Sequence, residues 1–283
     1  MQIITHIAEM QSVADSLRRQ GKKIGFVPTM GFLHEGHLSL IRQAREVSDI
    51  VIASIFVNPT QFGQNEDFDH YPRHVEGDRM KCEAASVNIL FTPDEKEMYP
   101  KKPTVFITAE EISDILEGAV RSGHYRGVAT VVAKLFNIVK PQTAFFGQKD
   151  YQQCVVIKRM VKELNMDLEI SIGPTIREAD GLAMSSRNSY LNTEERRTAA
   201  IIFRALSNAE HLVKSGTKEP DKLKRKMEAV LLAGKGISID YIEIADPETL
   251  APLTSVTGKT VILVAVRLGR TRLIDNIQVE PLK

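Results

Sequence analysis

Short apolar runs alternate with helical patterns through the first 176 residues, and this alternation restricts the chain to few folds. A continuous, β-branched run from Asp49 to Val57 predicts a buried strand, and Lys23 to Thr29 predicts another. Between them, Gly36 to Val47 carries apolar residues at helical spacing. Strands that alternate with helices indicate βαβ units and a parallel sheet with helices on both faces. Ligands of such sheets bind beyond the carboxyl ends of the strands.

The same periodicities predict the remaining elements. In the first part of the chain we expect helices over residues 6–20, 75–85, 127–140 and 150–164, and strands over 87–91, 143–146 and 168–172. Farther along we expect helices over 194–214 and 219–233, followed by strands over 237–245, 260–268 and 272–279. Helices followed by strands are typical of an α+β domain.

The predicted fold is therefore α/β. A Rossmann-like parallel-sheet domain is expected at residues 1–176, and a smaller C-terminal α+β domain at residues 177–283. The joint between them lies near residues 176–188, where the pattern of elements changes.

Composition excludes several classes of function. With 37 Lys and Arg against 36 Asp and Glu, the net charge is +1, so no broad basic surface would attract nucleic acid. Two isolated cysteines, Cys82 and Cys154, form neither a disulfide framework nor a zinc site. The amino end lacks the pattern of an export signal, and no apolar run approaches the roughly 18 residues of a membrane span. We therefore expect a cytoplasmic protein that binds neither nucleic acid nor a membrane.

The strongest chemical signal is the segment Pro28–Leu38, PTMGFLHEGHL, which joins a predicted strand to a predicted helix. The free N–H groups and the dipole at a helix start favour phosphate. Gly31 and Gly36 permit close approach of the backbone to a ligand. His34 and His37 can donate hydrogen bonds to phosphoryl oxygens, and one imidazole can protonate a leaving pyrophosphate. The segment predicts a nucleotide site.

Other interpretations of this segment fit less well. The zinc-protease motif separates its histidines by four positions, whereas His34 and His37 lie three apart. No G-x-G-x-x-G fingerprint and no Walker A loop follow the strand. Two polar histidines in an exposed loop would be the ordinary explanation of an arbitrary H-x-x-H, but the position between strand and helix favours a functional site.

An H-x-G-H after the first core strand resembles the signature of the nucleotidylyltransferase superfamily, which includes the class I aminoacyl-tRNA synthetases. Within that superfamily, PTMGFLHEGHLSLI, VNPTQFG, FGQKDYQQ and MSSRN occur together in the order found in pantothenate synthetases. The chain resembles this family over essentially its whole length. The resemblance implies an ATP-dependent ligase that condenses (R)-pantoate with β-alanine through a pantoyl adenylate and releases AMP and pyrophosphate.

The resemblance also implies site residues. The catalytic residues would be His37, His34 and Lys149, and the substrate-binding residues for pantoate and β-alanine would be Gln61 and Gln153. ATP would contact Met30, Gly31, Phe32, Leu33, His34, Glu35, Gly36, His37, Gly147, Gln148, Lys149, Asp150, Ile176, Met184, Ser185, Ser186 and Arg187. The smaller domain would act as a lid.

Residue chemistry suits these roles. A glutamine carries both a donor and an acceptor for a hydroxy acid such as pantoate. Lys149 would stabilise charge on the phosphates, and because a lysine is unfavourable at a helix start, its presence there favours function over a solvated surface. Arg187 presents a planar fork of donors to the β- and γ-phosphates, although a polar linker would also explain its segment. Ile176 would contact adenine through its backbone.

Tyr71–Arg73 resembles a YPR element of the family, and the resemblance implies that acidic residues after it help to hold magnesium. Asp78 lies at that place, but its neighbours are Gly77 and Lys81, so we expect no protein-ligated metal and Mg²⁺ carried mainly by ATP. The resemblance suggests a homodimer. An enzyme that makes a dinucleotide would share H-x-G-H without needing the glutamine pair, and a nucleotide sensor would bind ATP without releasing pyrophosphate.

Overall fold

The structure is a computed structural model that describes residues 1–64 and 66–282. The chain divides into two compact units: Met1–Gly147 with Gln152–Pro174, and Gln148–Tyr151 with Thr175–Lys283. Each unit has its own sheet and its own apolar core. None of the helices within the described ranges is both long enough and apolar enough to cross a membrane.

The first unit is built on a six-stranded parallel sheet. Its strands are β1 (Gln2–Ile4), β2 (Ile24–Thr29), β3 (Ile50–Ile55), β4 (Ile89–Phe91), β5 (Thr143–Gly147) and β6 (Glu169–Gly173). The helices that alternate with them are α1 (Ile7–Arg19), α2 (Glu35–Val47), α3 (Val75–Ala84), α4 (Glu95–Met98), α5 (Glu117–Val120), α6 (His124–Val139) and α7 (Tyr151–Glu163).

The central strands form where the sequence is continuously apolar. Phe26 and Val27 of β2, and Val51 and Ile52 of β3, are fully buried, as expected for strands covered on both faces. The two strands pair in parallel over six residues, from Ile24 opposite Ile50 to Thr29 opposite Ile55. This pairing fixes the positions of the segments that follow the two strands.

The strand order of the sheet is β1-β4-β3-β2-β5-β6. From β2 the chain builds β3 and β4 on one side, and it then returns to place β5 and β6 on the other. The direction of winding therefore reverses between β2 and β5, which is the point where open parallel sheets bind ligands. Three candidate motifs follow the ends of the adjacent strands β3, β2 and β5.

The second unit contains a three-stranded antiparallel sheet and three helices. The helices are α8 (Thr193–Ala199), α9 (Ile201–Lys214) and α10 (Pro220–Leu231), and the strands are β7 (Ile237–Ala245), β8 (Thr260–Leu268) and β9 (Thr271–Val279). The strand order is β7-β8-β9, with an irregularity between Ile239 and Tyr241. Its core packs α9 and α10 on the apolar face of β8 through Leu206, Met227 and Val264, among others.

The α/β architecture predicted from the sequence is confirmed, and the predicted strands are found with ends shifted by at most two residues. One prediction is wrong: the single helix expected over 194–214 is two helices. They separate at Ala200, where ψ is −18° and the turn tightens toward 3₁₀ geometry. No glycine or proline marks this break. The edge strand β1 was not predicted, because three residues are too few to show a period.

Candidate active site

His34 and His37 lie at the start of α2, beyond the carboxyl end of β2. His34 is the N-cap residue, and its Nδ1 accepts a hydrogen bond from the backbone N–H of Gly36 at 3.2 Å. His37 returns the contact, because its Nδ1 accepts from the backbone N–H of His34 at 3.2 Å. The ring centroids are 4.1 Å apart. The two histidines therefore form a reciprocal cap, in which each ring satisfies a backbone donor of the helix start.

This cap assigns the ring nitrogens. Because each Nδ1 is an acceptor, the hydrogen-bond network assigns the proton of each neutral imidazole to Nε2. The Nε2–H groups of His34 and His37 are thus the ring donors from which a phosphate oxygen can accept. A Cβ at Gly36 would come within 2.9 Å of the His34 ring, so the arrangement requires glycine at that position.

The segment between β2 and His34 takes an unusual path. Gly31 has φ +85° and Phe32 has φ +50°, two successive residues in the left-handed region. Asp78 of α3 accepts the backbone N–H groups of Phe32 and Leu33, each at 2.7 Å. Met30 begins this segment, and the buried side chain of Leu33 ends it. Glu35 follows on α2, where it pairs with Arg42.

Gln61 lies in the segment that follows β3, at the end of a short 3₁₀ turn, and it is buried. Its Oε1 accepts from Asn58 Nδ2 at 3.1 Å, and its Nε2 donates to the Met30 sulfur at 3.1 Å. Asn58 is itself 1% exposed, and its Oδ1 accepts from the hydroxyl of Tyr99 at 3.0 Å. The structure thus brings Gln61 against the loop that leads to His34.

The carbonyl of Gln61 is held by a charged network. His124 Nδ1–H donates to this carbonyl at 2.8 Å, and Arg121 Nη1 contacts the other ring nitrogen at 3.0 Å. Arg121 also pairs with Glu66 at 2.5 Å. Burial, and then the Arg121 charge, lower the pKa of His124 to about 4. Burial alone would raise the pKa of Glu66, but the hydrogen bond and charge of Arg121 hold it below its usual value.

Gly147 ends β5, and the residues after it, Gln148 to Asp150, belong to the second unit. Lys149 is largely buried, and its ammonium lies 3.6 Å from the Asp150 carboxylate. The buried amide of Asn276 on β9 donates to the carbonyl of Gln148 at 3.0 Å and to that of Lys149 at 2.8 Å. Asn276 thereby fixes the backbone from which the Lys149 side chain leaves.

Two adjacent glutamines at the start of α7 differ in their surroundings. Gln152 is 2% exposed and donates to the carbonyls of Ile112 and Ile115, at 2.7 and 2.8 Å, while its Oε1 accepts from Glu117 N–H at 3.0 Å. It is a structural residue that holds the chain before α5. Gln153, the predicted pantoate ligand, is only half-buried.

The remaining predicted ATP contacts lie in the second unit. The backbone N–H of Met184 donates to the carbonyl of Ile176 at 2.9 Å. Ser185 then caps a short 3₁₀ turn by accepting the N–H of Arg187 at 3.3 Å, and Ser186 within that turn is buried. The polar segment is therefore an ordered turn.

The described residues offer no cluster of three or more His, Cys, Asp or Glu side chains that could hold a metal ion. Asp78 is 1% exposed, and both its oxygens accept backbone N–H groups. This donor set does not fit a protein-ligated magnesium, which commonly keeps several waters and phosphate oxygens.

Sequence reasoning missed two residues that support the site. Asn58 lies in the VNPTQFG motif, where no role was predicted for it, and Asn276 lies in the predicted last strand. Each acts on residues distant in sequence: Asn58 also donates to the Gly127 carbonyl at 3.2 Å.

Comparison with known proteins gives one family. A sequence model described as pantoate-beta-alanine ligase matches residues 2–278. The pantothenate synthetase of Caldicellulosiruptor saccharolyticus is 52% identical over 280 residues, which are 99% of this chain and 100% of that protein. The pantothenate synthetase of Moorella thermoacetica is 51% identical over 280 residues, which are 99% of each chain.

Comparison with solved structures gives the same family. The crystal structure of pantothenate synthetase from Thermus thermophilus has a TM-score of 0.94 and 44% identity, covering 99% of this chain and 100% of that one. The pantoate-beta-alanine ligase of Francisella tularensis, complexed with β-γ ATP and β-alanine, has a TM-score of 0.82 and 37% identity, covering 98% and 97%.

A parallel sheet whose winding reverses beside a helix start suited to phosphate defines a nucleotide-binding class of α/β protein. Within that class, the chain belongs to the pantoate–β-alanine ligase family. It is a ligase, and the family resemblance carried by the four sequence motifs is confirmed.

Proposed function

We propose that the chain condenses (R)-pantoate with β-alanine at the expense of ATP, which is the reaction that forms pantothenate. Membership of the pantoate–β-alanine ligase family supports this reaction. The capped start of α2, beyond the carboxyl end of β2, is a suitable place for the phosphates. The pantoate carboxylate attacks the α-phosphorus of ATP, and pyrophosphate leaves. The β-alanine amine then attacks the carbonyl of pantoyl adenylate, and AMP leaves.

The residues around the phosphates act by positioning and by charge. The Nε2–H groups of His34 and His37 donate to phosphoryl oxygens at the positive end of the α2 dipole. Lys149 and Arg187 meet the negative charge that grows on the departing pyrophosphate. Other residues complete the proposed ATP site: the backbone of residues 30–37, then Gly147, Gln148 and Asp150, and finally Ile176 and residues 184–186.

Gln61 and Gln153 bind pantoate, and Gln61 also meets β-alanine. The structural support is the environment of Gln61, whose Nε2 contacts a weak type of acceptor, the Met30 thioether, at 3.1 Å. A pantoate oxygen would be a better acceptor, so substrate can replace this contact at little cost. The Asn58 contact to Oε1 keeps the amide oriented meanwhile.

Other assignments are proposals of the same kind. Mg²⁺ arrives with the ATP phosphates, in keeping with the lack of a carboxylate or imidazole cluster among the residues described. Residues 1–176 bind nucleotide and pantoate, and residues 177–283 act as the lid that keeps water from the adenylate.

We also propose a cytoplasmic homodimer, for which the mass of the native protein in solution is the test.

Labelled oxygen gives a direct test of the reaction. One carboxylate oxygen of pantoate should form the bond to phosphorus and leave with AMP, so pantoate labelled with ¹⁸O in its carboxylate should place one ¹⁸O in AMP. Exchange of labelled pyrophosphate into ATP should require pantoate and should proceed without β-alanine. Exchange without pantoate, or AMP free of label, would contradict the proposed reaction.

A further inference from the structure

Asp78 reaches from α3 to the loop before the histidines, and both of its carboxylate oxygens accept backbone N–H groups there. The Phe32 and Leu33 donors lie 2.7 Å from the two oxygens, and the side chain is 1% exposed. We propose that Asp78, assisted by Lys81, is a positioning residue that sets the path of residues 30–34 and so aims the histidines. The proposal rests on the proposed role of His34 and His37 in adenylate formation.

The path of this loop requires an external support. Gly31 has φ +85° and Phe32 has φ +50°, and a side chain larger than hydrogen is strained in that region. A Cβ added at Gly31 would lie 3.0 Å from Asp78 Oδ2, so the carboxylate fills the space beside the glycine. The two hydrogen bonds accepted by one buried carboxylate oppose the strain at Phe32.

Packing does not replace these hydrogen bonds. A cavity of about 260 Å³ lies against Met30, Gly31 and Asp78, so this side of the loop lacks a filled apolar core. The buried side chain of Leu33 anchors only the far end of the segment. The loop between β2 and α2 is therefore held mainly by polar contacts.

Lys81 completes the support one helical turn farther along α3. Its ammonium donates to the Leu33 carbonyl at 2.6 Å, while Asp78 accepts the Leu33 N–H at 2.7 Å. Both backbone polar groups of the residue before His34 are thus bound by α3. Lys81 is exposed, so its contribution is smaller than that of the buried Asp78.

These contacts give Asp78 a different task from metal binding. A carboxylate that accepts two N–H groups and is screened from solvent is poorly placed to exchange them for a cation. A positioning role and a metal role predict different responses to magnesium. Loss of a metal ligand raises the concentration of Mg²⁺ needed for turnover, whereas loss of loop position lowers kcat at every Mg²⁺ concentration.

The test is Asp78→Asn in the full chain, because the amide keeps one acceptor and replaces the other with a donor. Hydrogen exchange followed by mass spectrometry should show the amides of residues 32 and 33 exchanging about tenfold faster or more. Pantoate-dependent pyrophosphate exchange should fall in kcat by about tenfold or more, with KM for ATP changed by less than about threefold and an unaltered Mg²⁺ requirement.

Asp246→Ala is the control, because both backbone N–H groups bind Oδ1 of Asp246, which asparagine would keep and alanine removes. Asp246 also accepts two backbone N–H groups, from Glu248 at 2.9 Å and Thr249 at 2.8 Å, but in the second unit and outside the proposed site. It should loosen its own turn and leave kcat unchanged. A loss of kcat in this control equal to that in Asp78→Asn would overturn the proposal, because general loosening of the protein would then explain both.

Two further results would overturn it. One is unchanged exchange at residues 32 and 33 in Asp78→Asn, and the other is a tenfold rise in the Mg²⁺ requirement. If Asp78→Asn does not fold, the Lys81→Met variant tests the proposal instead. A kcat lowered about threefold at an unaltered Mg²⁺ requirement would support the proposal, and an unaltered kcat would overturn it. Failure of the proposed reaction would appear separately, as wild-type protein without pantoate-dependent exchange but with protected amides.

Discussion

The two nitrogens of His37 can be tested one at a time, because the structure and the proposed reaction give them different tasks. Nδ1 accepts the His34 backbone N–H at 3.2 Å, and Nε2–H is the donor proposed for the phosphate. His37→Asn places its oxygen near the position of Nδ1, so it keeps the cap and removes the donor. His37→Gln reaches the position of Nε2, so it keeps a donor and removes the cap. Alanine would remove both.

The expected magnitudes separate the two variants. A hydrogen bond to a charged group contributes about 1.5–3 kcal/mol, so His37→Asn should lower the rate of adenylate formation by roughly 10- to 150-fold. If His37 also transfers a proton, the loss extends to about 10²–10⁴-fold. The cap contact of 3.2 Å is long, so removing it in His37→Gln should lower the free energy of unfolding by about 0.5–1 kcal/mol.

The assay measures both quantities on the same preparations. Single-turnover formation of pantoyl adenylate, without β-alanine, gives the rate of the first step. Urea unfolding followed by circular dichroism gives the stability. The expected outcome is a slow, stable His37→Asn protein, and a His37→Gln protein that is less stable and within about tenfold of the wild-type rate.

The reverse pattern would refute the reasoning. If His37→Asn turns over normally, the Nε2–H group does not meet the phosphate. If His37→Gln loses no stability while His37→Asn loses it, the reciprocal cap is absent from the protein in solution.

Other predictions test separate parts of the site. Lys149→Ala should slow adenylate formation far more than amine transfer, so supplied pantoyl adenylate should restore product; equal loss from adenylate would contradict this role. Gln153→Ala should weaken pantoate binding by about 10- to 100-fold and leave ATP binding unchanged, whereas Gln152→Ala should instead lower stability; calorimetric titration and thermal unfolding distinguish them. The pKa of His124 is lowered by burial to about 4 from 6.5, so the unfolded chain binds its proton first on acidification. Stability should therefore fall by up to about 3 kcal/mol from pH 7.5 to pH 4, and less in His124→Asn; equal slopes would contradict the assignment. Burial raises the pKa of Cys82 to about 12, so a thiol reagent should label Cys82 only after unfolding; rapid labelling of the native protein would refute this.

Much of the fold could be predicted because β2, β3 and β8 are largely continuous apolar runs, while β7 alternates apolar and polar residues, and their ends are clear. The bounds of β7 and β8 agree with the structure to the residue. Two features could not be predicted from periodicity. The break between α8 and α9 at Ala200 is a change in one backbone angle, and the strand β1 is defined by its pairing with β4. Both depend on contacts formed only in the folded chain.

For the site, the sequence indicated where ligands would bind but not how the binding segments are held. The H-x-G-H pattern predicts a phosphate site, but the reciprocal cap of His34 and His37 through Nδ1 is visible only in the folded structure. The chemistry of Asp78 permits metal binding, but its two oxygens accept N–H groups that lie 46 and 45 residues away in the sequence. Such long-range hydrogen bonds leave no local pattern. The ligand contacts themselves remain predictions.

The grouping of Gln148–Tyr151 with the C-terminal residues has a consequence for protein engineering. A chimera that exchanges the part after Pro174 between two family members would pair a foreign last strand with the native turn after β5. The Asn276 amide spans two carbonyls of that turn, at 3.0 and 2.8 Å, so even a small shift in the foreign strand would displace the base of the Lys149 side chain. Functional recombinants should therefore carry residues 148–151 and the C-terminal segment from the same parent. The inheritance of activity in a recombination library would follow this discontinuous block and not a single crossover point.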